Sequence, residues 1–190
     1  ISGNLGAASL ALDDLAMMRA IPNVTIVSPS DYNSELKLIE WASSALAPVY
    51  IRLTGHQIKP IYSESLDINN KSNCVYMAGT DAVVFATGAC THRAIEAAYI
   101  LNQIGIKITV IDMLYLKPLD YETLERYSSI KNVFTIEEHN IIGGLGGAVS
   151  EYVASQTNQK VHRLGVLDSY LYPDSYENLL KETNLDIDGI

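Results

Sequence analysis

Short apolar runs alternate with amphipathic stretches along most of the chain. Asp13 to Ala20 reads as the end of a helix, stopped at Ile21-Pro22 because the residue before a proline avoids helical geometry. Val24 to Val27 is a short β-rich run. Asp31 is placed to cap a helix reaching about Ser44, with Leu36, Ile39 and Trp41 set among charges. Val49 to Leu53 is the next expected strand. Residues 55–78 then lose periodicity and gather Pro60, Ser63, Ser65, Asn69, Asn70, Ser72 and Asn73, the composition of an interdomain linker.

A domain-sized βα series follows. Ala82 to Ala86 is unbroken apolar. A helix starts at Thr91, with Ala94, Ala97, Ala98 and Leu101 on one face, and stops at Gly105. Ile108 to Ile111 is entirely β-branched. Asp120 caps a helix to about Ser129, Val133 to Ile136 is a strand, Gly146 to Ser155 a helix, and Val161 to Leu164 a last strand. Asp174 with Glu177 has the spacing of a capping box for a final helix. Strands this apolar are buried on both faces, as in a parallel sheet covered by helices and joined by right-handed crossovers. Residues 79–190 are therefore expected to form a three-layer α/β/α domain around a mostly parallel sheet. Residues 1–54 read as the tail of a preceding α/β domain, with too few strands to stand alone.

Charge and composition narrow the function. The 190 residues are 48% hydrophobic and only 18% charged, enough for one or two cores and too apolar for disorder. No apolar run approaches the roughly 18 residues of a membrane span. The net charge of −9 repels phosphate backbones and anionic lipid, which argues against nucleic-acid and membrane partners. Cys74 and Cys90 lack metal or redox spacing, and His56, His92, His139 and His162 are scattered, so no metal set is expected. Free thiols and the lack of a visible signal peptide point to a reducing, cytoplasmic setting; a start at Ile1 points to a processed or truncated N-terminus.

The richest stretch runs from Glu137 to Gly147, between a strand and a helix, where phosphate loops occur. A dinucleotide fingerprint from Gly144 fails at Val149, one from Gly143 fails at Leu145, and no Gly-Lys-Ser/Thr is present. These glycines read instead as permitting a tight turn and close helix approach. Glu137, Glu138 and His139 are candidate acid–base groups, but adjacent carboxylates on a strand face opposite ways. The favoured reading has one capping a turn or helix and the other solvated. Arg52 ends the strand Val49 to Leu53, where ligands bind in parallel sheets, and is either a fork for phosphate or a salt-bridge partner.

Several phrases, in order, resemble the transketolase family of thiamine-diphosphate enzymes. Ala11-Leu12-Asp13-Asp14-Leu15-Ala16-Met17-Met18-Arg19-Ala20-Ile21-Pro22-Asn23-Val24, Ser28-Pro29-Ser30-Asp31 and Pro48-Val49-Tyr50-Ile51-Arg52 are similar to the later part of its pyrimidine-binding domain. Ala86-Thr87-Gly88, Asp112-Met113, Lys117-Pro118-Leu119-Asp120 and the Glu137 to Gly147 stretch resemble its C-terminal domain. The wording is nearest the second subunit of split bacterial transketolases, with the deoxyxylulose-phosphate synthases as close relatives.

The resemblance implies a magnesium- and thiamine-diphosphate-dependent enzyme that moves a two-carbon ketol unit between sugar phosphates. It also implies that the cofactor is held mainly outside this chain, either by a second copy in a homodimer or by a complementary cofactor-binding subunit. The fragment alone is then expected to be inactive, and its own catalytic, cofactor and metal residues are none. Two substrate-binding positions carry over. Arg52 matches the family arginine that grips the sugar phosphate, and Ser9 stands where the family usually has a histidine near the reacting sugar oxygens. The competing readings are a 1-deoxy-D-xylulose-5-phosphate synthase-like enzyme and a non-catalytic assembly module.

Overall fold

The computed structural model describes residues 1, 6, 10–56, 58–68 and 74–190, apart from the side chains of Cys74 and Val75. Ser9 lies outside the described residues. The elements follow the expected alternation: α1 (Asp14–Ala20), β1 (Thr25–Val27), α2 (Tyr32–Ser43), β2 (Val49–Ile51), β3 (Cys74–Met77), β4 (Ala82–Ala86), α3 (Cys90–Gln103), β5 (Ile108–Asp112), β6 (Tyr115–Lys117), α4 (Tyr121–Arg126), β7 (Asn132–Asn140), α5 (Leu145–Gln156), β8 (Lys160–Val166) and α6 (Tyr176–Glu182).

The larger sheet has the order β3-β5-β4-β7-β8; β5, β4, β7 and β8 are parallel, and β3 is an antiparallel edge. Alternate residues of β4 explain the three layers. Val84 and Ala86 join a core with Ala94 and Ala98 of α3 and Leu179 and Leu180 of α6. Val83 and Phe85 face the other way, into a core with Leu15 of α1, Leu124 of α4, and Leu145, Val149 and Val153 of α5. The smaller sheet has the order β2-β1-β6: β1 runs parallel to β2 and antiparallel to β6.

Local chemistry sets several boundaries. Asp31 caps α2, accepting from Ser34 N at 2.8 Å in a reciprocal capping box. Gly105, at φ 86, ends α3 in the left-handed conformation open to glycine. The final helix departs from expectation by one residue: Ser175, not Asp174, supplies the cap, accepting from Asn178 N at 3.2 Å. In α2 the buried apolar residue is Leu38, while Leu36 and Ile39 are exposed. Two strands were not expected at all. β3 falls inside the stretch read as linker, and β6, contributed from beyond β5, completes the sheet begun by β1 and β2.

The stretch after β2 is also firmly held. Asp31 Oδ2 accepts from Ile61 N at 2.7 Å and Tyr62 N at 2.9 Å, and Asn33 donates to Tyr62 O at 2.6 Å.

Candidate functional site

In a parallel sheet, ligands collect at the carboxyl ends of strands, where successive connections leave in opposite directions. From β4 the chain crosses through α3 to β5 on one side, and from β7 through α5 to β8 on the other. The crevice between the ends of β4 and β7 opens onto a cavity of about 180 Å³. Thr87, Gly88, Ala89 and Glu138 line it from the side of the larger sheet, Pro29, Tyr50 and Arg52 from that of the smaller one, and Asp14 from the start of α1.

Arg52 is the positive side chain at its centre. Its Nε donates to Asp14 at 2.9 Å, and its Nη2 donates to the carbonyls of Ala11 at 2.6 Å and Glu138 at 2.9 Å. Nη1 makes no hydrogen bond among the described residues. Of the two alternatives left open for this arginine, the ion pair is present. Asp14 was missed as a site residue, as was Tyr50, whose hydroxyl donates to Asp14 at 2.8 Å. Tyr50 lies on β2 and Arg52 one residue past its end, two apart in extended chain, and both reach the same side. That spacing was the available signal that both meet the same carboxylate. Burial, then the bond to Asp14, raises the Tyr50 phenol to about 12.

The Glu137–Glu138–His139 run resolves into three roles. Glu137 caps α5, accepting from Leu145 N at 2.7 Å and Gly146 N at 2.8 Å. Burial raises its pKa to about 7 despite those two bonds. The expectation that the other carboxylate is solvated is overturned. Glu138 is buried, accepting from Arg93 Nη2 at 2.6 Å, from the Tyr176 hydroxyl, and from the Ile1 amino group at 3.0 Å. His139 is fully buried between Asp14 and Glu137 and bonds Asn140 O through Nδ1 at 2.6 Å; burial lowers its pKa.

The glycine loop behaves as its failed fingerprints suggested. Gly143 has φ 79, and a Cβ there would stand 2.6 Å from that of Ala16. A Cβ on Gly146 would stand 2.7 Å from Thr135 Oγ1. The α5 N–H groups that could cradle a diphosphate are taken by Glu137, and a methyl on Gly144 would overlap that carboxylate. No cluster of His, Cys, Asp or Glu able to hold a metal occurs among the described residues. These residues do not fit the diphosphate of a cofactor or its metal ion. Among them, no helix is long and apolar enough to cross a membrane.

A second polar cluster sits at the end of β5. Asp112, fully buried, accepts from Ser30 Oγ at 2.5 Å, Tyr62 Oη at 2.7 Å and Thr91 Oγ1 at 2.9 Å. Burial outweighs these bonds and raises its pKa to about 6.

Comparison with known proteins identifies the family and agrees with the fold. Residues 73–190 match the family described as transketolase, C-terminal domain. A Methanocaldococcus jannaschii protein named provisionally as a transketolase C-terminal section is 34% identical over 99% of this chain and 60% of its own length. An apulose-4-phosphate transketolase subunit of Actinobacillus succinogenes is 30% identical over 99% of this chain and 61% of its own. Among solved structures, a split-gene transketolase described as an inactive beta4 tetramer superposes with a TM-score of 0.88 at 33% identity, over 96% of this chain and 60% of that one. The chain thus spans about three fifths of these relatives. On the sequence match and the shared architecture together, the chain belongs to the transketolase family.

Proposed function

We propose that this chain is part of a thiamine-diphosphate-dependent transketolase that moves a two-carbon ketol unit between sugar phosphates. Residues 1–54 then end a pyrimidine-binding domain, 55–78 connect, and 79–190 form the C-terminal domain. The cofactor's diphosphate and its magnesium are held by residues outside this chain, on a complementary subunit or a second copy. The observation that carries the sugar-phosphate reading is the place of Arg52, at the carboxyl end of a parallel strand and beside the crevice, with Nη1 uncommitted. In this reading Arg52 binds the substrate phosphate, and Asp14 holds the guanidinium in place. In this reading Ser9 takes the sequence position at which the family usually has a histidine that meets the reacting sugar oxygens.

The test is reconstitution. The chain, completed by its cofactor-binding part, is mixed with thiamine diphosphate, magnesium, a ketose phosphate and an aldose phosphate. Two-carbon transfer supports the proposal, and its absence from a cofactor-loaded complex refutes it. A second reading has a specific basis: the 1-deoxy-D-xylulose-5-phosphate synthase of Chlorobium luteolum is 34% identical over 93% of this chain. Formation of 1-deoxy-D-xylulose 5-phosphate when pyruvate, losing carbon dioxide, replaces the ketose phosphate as donor, with no ketol transfer, would select that reading instead.

A further inference from the structure

We propose that Arg93 and Tyr176 are positioning residues for Arg52, acting through Glu138. The inference rests on the reading of Arg52 as the phosphate-binding group and extends it to two residues outside the cavity.

Two helices converge on the Glu138 carboxylate. Arg93, in the first turn of α3, donates to Oε1 from Nη2 at 2.6 Å, and Tyr176, at the start of α6, donates to the same oxygen. Arg93 Nη1 also donates to the Tyr176 hydroxyl at 3.0 Å, closing a triangle. Glu138 is 5% exposed and Arg93 is nearly buried, so these charge-assisted bonds act in a low dielectric and fix orientation. The Tyr176 ring is itself held by stacking on His56, with centroids 3.7 Å apart.

Glu138 faces both ways. Its side chain is clamped by the triangle, while its main-chain carbonyl accepts from Arg52 Nη2 at 2.9 Å. Fixing the side chain of a residue at a strand end restricts the rotation of its peptide plane, and with it the direction of that carbonyl. The Arg52 guanidinium is planar, so the Asp14 carboxylate, the Ala11 carbonyl and the Glu138 carbonyl together set where Nη1 points. The triangle is imperfect as simple core packing, because Arg93 Nε is buried without a partner among the described residues. Its other donors go to Glu138, to Tyr176 and, from Nη2, to Cys90 Sγ at 3.2 Å.

A structural role and a positioning role predict different readouts. The experiment uses the completed, cofactor-loaded enzyme and compares a ketose phosphate with the same ketose lacking phosphate. Tyr176→Phe removes one hydroxyl and keeps the ring, so it decides the matter even if Arg93→Met fails to fold. The expected result is a KM for the ketose phosphate raised roughly fivefold, with kcat and the kinetics of the unphosphorylated ketose unchanged, the scale of one lost hydrogen bond acting on binding alone. The inhibition constant of inorganic phosphate should rise in parallel, and Arg93→Lys should restore part of what Arg93→Met loses.

If Arg52→Ala abolishes the preference for phosphorylated substrate while Tyr176→Phe and Arg93→Met leave it intact, the positioning role is overturned and the Arg52 reading stands. If Arg52→Ala itself leaves the preference intact, the Arg52 reading fails and the positioning role falls with it. A lower melting temperature with unchanged substrate preference would reassign the triangle to stability alone.

Discussion

The Tyr62 hydroxyl donates to Asp112 Oδ2 at 2.7 Å, bolting the polar stretch that follows β2 to the end of β5. Asp31 holds the same segment through the N–H groups of Ile61 and Tyr62. Tyr62→Phe should therefore cost roughly 1–3 kcal/mol, the range for a bond to an ionised group. For a chain of this size that lowers the melting point by about 2–4 °C per kcal/mol. An unchanged melting point would show that Ser30 and Thr91 satisfy Asp112 without it.

Stability should fall as pH rises through about 6 to about 7. Asp112 is raised from 3.8 to about 6 and Glu137 from 4.5 to about 7, so the native state holds protons that the unfolded chain releases. The stability linked to those protons is full below the unfolded values and is lost as pH rises through about 6 and then about 7. His92 and His139 act oppositely: both are lowered from 6.5 chiefly by burial, so acid favours the unfolded chain. The expected maximum lies on the mildly acidic side of neutral, with a loss of roughly 1–3 kcal/mol between it and pH 8. Denaturant titrations across that range check this, and Glu137→Gln should flatten the alkaline limb. A stability that climbs steadily to pH 8 would contradict the burial of these two carboxylates.

Gly144→Ala should be among the most damaging single changes. The added methyl would overlap the Glu137 carboxylate that caps α5. Relief requires giving up that cap or shifting the turn, a loss of roughly 2–4 kcal/mol given the buried acceptor and the two N–H groups it satisfies. Gly105→Ala makes a useful contrast: nothing lies within 4 Å of the new methyl, and only the φ of 86 is unfavourable, so its cost should be about 1 kcal/mol. Equal melting points for the two variants would count against the crowding at Gly144.

Where the chain announces its structure, local physics decides. Ala82–Ala86 is apolar at every position because both faces of β4 are buried, and Asp31 and Gly105 mark helix ends by their own backbone and side-chain chemistry. β3 and β6 were illegible because each is short and is made by pairing with a strand distant in the chain, not by its own pattern. The site divides in the same way. Arg52 could be singled out by its place on a strand. Its partner Asp14, 38 residues away, and the Glu138 partners Arg93 and Tyr176, at separations of 45 and 38, leave no periodic trace. The sequence reading leaves one of the two adjacent carboxylates solvated, as such groups ordinarily are; the burial of Glu138 depends on those distant donors.

The sugar-phosphate reading is tested most directly by kcat/KM for a ketose phosphate in the completed enzyme, parent against Arg52→Ala. The account predicts a loss of roughly 2–4 kcal/mol in transition-state binding, the scale for removing one partner of a desolvated charge pair, with unphosphorylated ketose nearly unaffected. Arg52→Lys should recover only part, because an ammonium cannot fork onto phosphate and hold Asp14 as a planar guanidinium does. Equal kcat/KM for mutant and parent on the ketose phosphate, with only the melting point lowered, would contradict it and leave Arg52 as the structural partner of Asp14.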